Sequence, residues 1–76
     1  MTKKQALEKF AAMTAHRLED CRAKVTKCKG MNGRFFYELG VVAGPITGAI
    51  LWDGCGDSWE SALDMSAHDH NLSWRA

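Results

Sequence analysis

Cysteine, histidine and carboxylate side chains are where chemistry would begin in this chain. Cys55 stands between Gly54 and Gly56, just ahead of Asp57-Ser58-Trp59-Glu60, which reads as the start of a helix. A thiol at a helix N-terminus can be held as the thiolate by the helix dipole, and His68 or His70 would be its base. Nothing in the spacing brings either histidine to the sulfur, and a glycine-flanked cysteine between a strand and a helix is ordinarily structural. Cys21, Cys28, Cys55, His68 and His70 are numerous enough for a zinc site. On a continuous helix, however, Cys21 and Cys28 would lie two turns apart, about 10 Å along the axis, and His68 and His70 would point to different faces. The expectation is therefore no catalytic residue, no metal and no cofactor.

Two short motifs invite comparison with families. Gly56-Asp57-Ser58 resembles the opening of GDSL-type esterases, over these residues alone. Those enzymes need a large α/β scaffold and an Asp-His pair two residues apart, whereas Asp64 and His68 are four apart; Asp57 and Ser58 are explained as cap residues. Gly30-Met31-Asn32-Gly33, between Lys29 and Arg34, resembles the GxxG clamp of KH domains, which grips single-stranded nucleic acid. In that fold the loop joins two helices, and here a strand follows, so a plain turn is the reading.

The elements that would position these residues centre on residues 34–53, RFFYELGVVAGPITGAILWD, which reads as a β-hairpin turning at Ala43-Gly44-Pro45. Alternation sets Phe35, Tyr37, Leu39 and Val41 on one face of its first strand and Phe36, Glu38 and Val42 on the other. Ile46, Ile50 and Trp52 share a face of the second. The stretch from Phe35 to Trp52 has Glu38 as its one charge, but its glycines, its proline and its β-type residues exclude a membrane span.

Before the hairpin, Thr2-Lys3-Lys4-Gln5 fits a capping box, and no glycine or proline occurs from there to Lys29. Leu7, Ala11, Thr14, Leu18, Cys21, Val25 and Cys28 recur at alternating four and three spacing, with Phe10 widening the stripe. This predicts one long amphipathic helix ending in Lys24, Lys27 and Lys29, with Gly30 as its terminator. About 26 helical residues span ~39 Å against ~27 Å for an eight-residue strand. An overhanging apolar stripe follows, to be covered by the C-terminal helix or by a second copy, and a homodimer is expected in which Leu7, Phe10, Leu18 and Val25 contribute apolar contacts within or across subunits. After the hairpin, Asp57 and Glu60 form a second capping box for a helix to about His68, burying Trp59 and Leu63. Asn71 to Arg75 make a tail that could be a short third strand or could pack Trp74 on the body. The fold class is α+β, a single small domain over residues 1–76 with the order αββα.

Seventy-six residues give a thin core. Three cysteines and no cationic, apolar, cleavable start favour a reducing cytoplasm over a disulfide framework. Charge is the most informative functional feature. Residues 1–34 hold nine Lys/Arg against three Asp/Glu, and residues 35–76 hold one against six, so a net charge of +1 hides a dipolar molecule. Lys24, Lys27, Lys29 and Arg34 are the candidate basic patch, with Tyr37 and Trp74 as aromatic anchors. The expected function is a non-enzymatic protein-binding module. An accessory inhibitor of phages or mobile elements (anti-CRISPR-like), occluding a host enzyme or defence complex, is one such class. The alternative is a nucleic-acid-binding protein using the basic patch with Phe35, Phe36 and Tyr37 as stacking groups.

Overall fold

A computed structural model describes residues 1–28, 33–44 and 46–75. The order of elements is α1 (Lys3–Thr14), a single 3-10 turn (Leu18–Asp20), β1 (Cys21–Lys27), β2 (Phe35–Val42), β3 (Ile50–Gly56) and α2 (Trp59–His70). The three strands form one antiparallel sheet in the order β1-β2-β3. The class is α+β, with a helix, a sheet containing the expected hairpin, and a C-terminal helix.

The expected long helix is corrected: it stops at Thr14, and its second half is a strand. α1 begins as expected, with the Thr2 hydroxyl accepting from the Gln5 N–H at 3.1 Å and the Gln5 amide oxygen accepting from the Thr2 N–H at 2.8 Å. It ends where Ala15 turns left-handed at φ 58°, and the His16 N–H closes on the Ala11 carbonyl at 3.1 Å. An alanine at this φ is uncommon, and no glycine marks the stop. From Cys21 on the chain pairs with β2 from Cys21↔Val41 to Lys27↔Phe35. In this stretch Cys21, Ala23 and Val25 alternate with Arg22, Lys24 and Thr26, a period-2 pattern that coexists with the three-four spacing of Leu18, Cys21, Val25 and Cys28. Non-local pairing decides between the two.

The hairpin is longer at its tip than expected. β3 starts at Ile50, and Ile46, assigned to the strand by its sequence, is 97% exposed in the connection. Pro45 and the proposed Gly30 terminator, with the rest of the GxxG motif up to Asn32, lie outside the described residues. α2 is capped one residue later than expected: Ser58 is the N-cap, accepting from the Ser61 N–H at 3.1 Å, while Asp57 accepts from the Ser61 hydroxyl at 2.9 Å.

Both helices pack on the same side of the sheet. The buried cluster joins Ala6, Phe10 and Ala11 of α1, Cys21 and Leu39 of the strands, and Trp59, Ala62 and Leu63 of α2. Between Leu39 and Gly40 the β2–β3 register shifts, Leu39 pairing with Gly54 and Gly40 with Trp52, which leaves Asp53 as an extra residue on β3. The bulge lets Asp53 and Gly54 both meet α2. A Cβ on Gly54 would collide with the Ala62 carbonyl oxygen, so this glycine is the close-approach point of helix and strand.

Candidate interaction surface

By register, β1 puts Arg22, Lys24 and Thr26 on the sheet face away from the helices. β2 adds Phe36, Glu38, Gly40 and Val42, and β3 adds Ile50 and Trp52. No described element covers this face. Phe36, Ile50 and Trp52 are each exposed, at 37%. The Trp52 indole lies over Gly40, where a Cβ would sit 2.8 Å from its Cε3 and 2.6 Å from the Leu51 carbonyl oxygen. The missing side chain at Gly40 is what lets the Trp52 ring and the β3 backbone approach β2 this closely. Lys24 is the cross-strand neighbour of Glu38, so a cation and an anion sit side by side among apolar groups.

Of the residues singled out from the sequence, Lys24 is exposed in the middle of β1, and Lys27 is exposed at its end opposite Phe35. Arg34 is exposed just before β2, its carbonyl accepting from the Cys28 N–H at 3.0 Å. These three gather along one edge and one end of the sheet; Lys29 lies outside the described residues. The aromatic candidates are placed elsewhere. Tyr37 is half-buried on the helix side, its ring edge-on to Trp59 at 4.8 Å. Trp74 is half-buried against α1 and α2, where its indole N–H donates to Asp64 at 2.7 Å and the Arg75 guanidinium stacks over the ring at 4.5 Å. Both rings are occupied in holding the domain together. The exposed aromatics of the open face are Phe36 and Trp52, while Phe35 is exposed on the helix side at the end of β2; the signal for Phe36 was present in the sequence as the second face of the alternating first strand.

Cys55 donates to the Met65 sulfur at 3.4 Å. Cys21 is buried, and burial pushes its thiol above the ordinary range, with the charge of Asp20 adding and that of Arg22 opposing. Among the described residues no three His, Cys, Asp or Glu side chains converge as a metal site would require.

Sequence reasoning missed one constellation. Asp53, aimed by the bulge, accepts from the Ser66 hydroxyl at 2.7 Å and meets His70 Nε2 at 2.8 Å from both of its oxygens. The residue types are those of a hydrolytic triad, but the order is wrong for one. The carboxylate stands between serine and histidine, so the hydroxyl donates to an acid and has no base, and Ser66 is fully buried. The group acts as a clamp that fixes α2 to β3. Its sequence signal was weak because the members lie 13 and 17 residues apart and meet only through the fold.

Among the described residues, no helix is long and apolar enough to cross a membrane. No family model matches the chain, and no curated protein or solved structure is significantly similar to it.

Proposed function

We propose that this chain is a non-enzymatic protein-binding module whose partner seats on the open face of the sheet. One observation carries the reading: Phe36, Ile50 and Trp52 share a sheet face that no described element of the fold covers, with Lys24 and Glu38 beside them. Exposed aromatic groups supply contact area at small entropic cost, and the neighbouring Lys24 and Glu38 charges select orientation. An inhibitor that occludes a surface of a larger protein is the class such a module suits.

The test is affinity capture with mass spectrometry, comparing the wild-type chain with a Phe36→Ser/Trp52→Ser variant whose melting curve shows it folded. A partner retained by the first and lost by the second supports the reading. Equal capture by both sinks it. The nucleic-acid reading has its own supporting observation, since Arg22 and Lys24 flank the same face as Phe36 and Trp52. Glu38 in the middle of that face and the acidic α2 count against it. Titration with labelled single- and double-stranded DNA and RNA at about 50 mM and about 200 mM salt decides. Submicromolar binding at the higher salt, abolished by Lys24→Glu and Lys27→Glu, would replace the protein partner with a nucleic acid.

A further inference from the structure

β1 (Cys21–Lys27) is an edge strand. β2 pairs it on one side, and among the described residues no backbone bond from another element reaches its other side. One outer contact comes from its own Arg22, whose guanidinium donates to the carbonyls of Cys21 at 2.9 Å and Glu19 at 2.7 Å. A row of backbone donors and acceptors is therefore open along the strand.

The side chains on either side of that row are of two kinds. Arg22 and Lys24 stand on the open face of the sheet. Ala23 and Val25 stand on the helix side, where Ala23 packs against the core and Val25, at its margin, is 44% exposed. Lys27 ends the strand, and Arg34 lies just across the mouth of the β1–β2 connection. Among the described residues no lysine side chain forms an ion pair. A strand laid beside β1 would continue both faces of the sheet. One row of its side chains would run beside Arg22 and Lys24, and the alternate row would cover Ala23 and Val25. A second copy of β1 in that place would set one cationic row beside another, so the cations guard the edge against self-pairing.

We propose that the outer edge of β1 is the docking site for an extended segment of a protein partner in which acidic and apolar residues alternate, added as a fourth strand of the sheet. The inference rests on the protein-binding reading and supplies the chemistry of the partner. Main-chain hydrogen bonds hold the segment; acidic side chains meet Arg22 and Lys24, and apolar ones cover Val25. Arg22 must release the Cys21 carbonyl as the segment docks, and it turns from capping that oxygen to pairing with a carboxylate.

The experiment is an NMR titration of the full chain with a blocked Glu-Val-Glu-Val-Glu-Val-Glu peptide, with its Lys-for-Glu counterpart, and with the acidic peptide N-methylated at alternate residues. The acidic peptide is expected to bind and to slow amide exchange in β1 but not in β3. Affinity should fall severalfold between about 50 mM and about 200 mM salt. The lysine and N-methylated peptides should not bind. In an Arg22→Glu/Lys24→Glu variant the preference should reverse toward the lysine peptide. Absence of acidic-peptide binding, binding without protection in β1, or equal binding of the N-methylated peptide would each overturn the inference. The Phe36→Ser/Trp52→Ser variant separates this from the open-face reading, because those residues lie on β2 and β3 and should leave the peptide titration unchanged. Loss of partner capture in that variant with no peptide docking defeats the edge alone. Peptide docking with unchanged capture defeats the open-face reading alone.

Discussion

Asp64 receives the Trp74 indole N–H at 2.7 Å and the Arg75 guanidinium at 3.2 Å, and these bonds, the indole first, hold its carboxyl below the ordinary value of 3.8. A carboxylate favoured by folding contributes its stability above the unfolded pKa and loses it as pH falls through the folded one. The C-terminal tail should therefore loosen only below about pH 4, and Asp64→Asn should remove that part of the acid dependence. Trp74 fluorescence in a Trp52→Phe/Trp59→Phe background reads the change; a transition in Asp64→Asn identical to that of its parent would count against it. Cys21 differs in kind. Buried and with its thiol pushed up, it stays neutral, so iodoacetamide at neutral pH should modify Cys28 and Cys55, both half-buried, well before Cys21. Mass spectrometry of partially alkylated protein gives the order. Gly54→Ala should destabilise by about 1–3 kcal/mol, since the added methyl meets the Ala62 carbonyl on the backbone of α2, which cannot swing aside as a side chain could. Denaturant unfolding measures it.

At the scale of elements, the helices are too short for the sheet they cover. Each has 12 residues, about 18 Å, against about 27 Å for the eight residues of β2. Phe35 at one end and Leu51 towards the other are left exposed even on the helix side, at 46% and 60%. Stability accordingly concentrates where α1, α2 and the middle of β2 meet. Leu63→Ala, at a fully buried position, should cost about 2–5 kcal/mol. Leu18→Ala should stay within about 0.5 kcal/mol, because the 3-10 turn leaves Leu18 half exposed and outside the core. The same residue on the expected long helix would have been a seam position. The two substitutions in urea unfolding compare the arrangements directly; a large loss at Leu18 would restore the helical one.

Because α1 ends at Thr14, the molecule has no long overhanging helix through which to dimerise. The remaining uncovered apolar area lies mainly on the sheet. Self-association at tens of micromolar, where light scattering detects it, is therefore expected to weaken in Phe36→Ser/Trp52→Ser and to be indifferent to Leu18→Ser. The opposite dependence would return the interface to the N-terminal segment. The charge asymmetry also takes physical form: β1 carries Arg22, Lys24 and Lys27 on one edge of the sheet, and α2 carries Glu60, Asp64 and Asp69. Across this division, the N-terminal amine approaches Glu60 at 3.6 Å. Among the described residues the lysines of β1 form no ion pair, and the proposed interaction through them should weaken with salt.

The capping box at Thr2, the alternation through residues 35–42, the start of α2 to within one residue, and the split between basic and acidic halves were determined by the sequence alone. Each depends on neighbours a few residues away: a hydroxyl reaching an N–H, a side chain alternating across a pleat. The fate of residues 15–28 was decided by tertiary structure. Their pattern fits period 3.6 and period 2 alike, Ala15 gives no glycine signal for its left-handed turn, and only β2, beyond the intervening connection, supplies the ladder that makes Cys21–Lys27 a strand. The roles of the aromatic residues were decided in the same way. Tyr37 and Trp74 became internal contacts because both helices chose their side of the sheet, and Phe36 and Trp52 became surface because nothing in the described fold covers the other. Local bonds can be read from adjacent letters; which face of a sheet is buried depends on every element that packs against it.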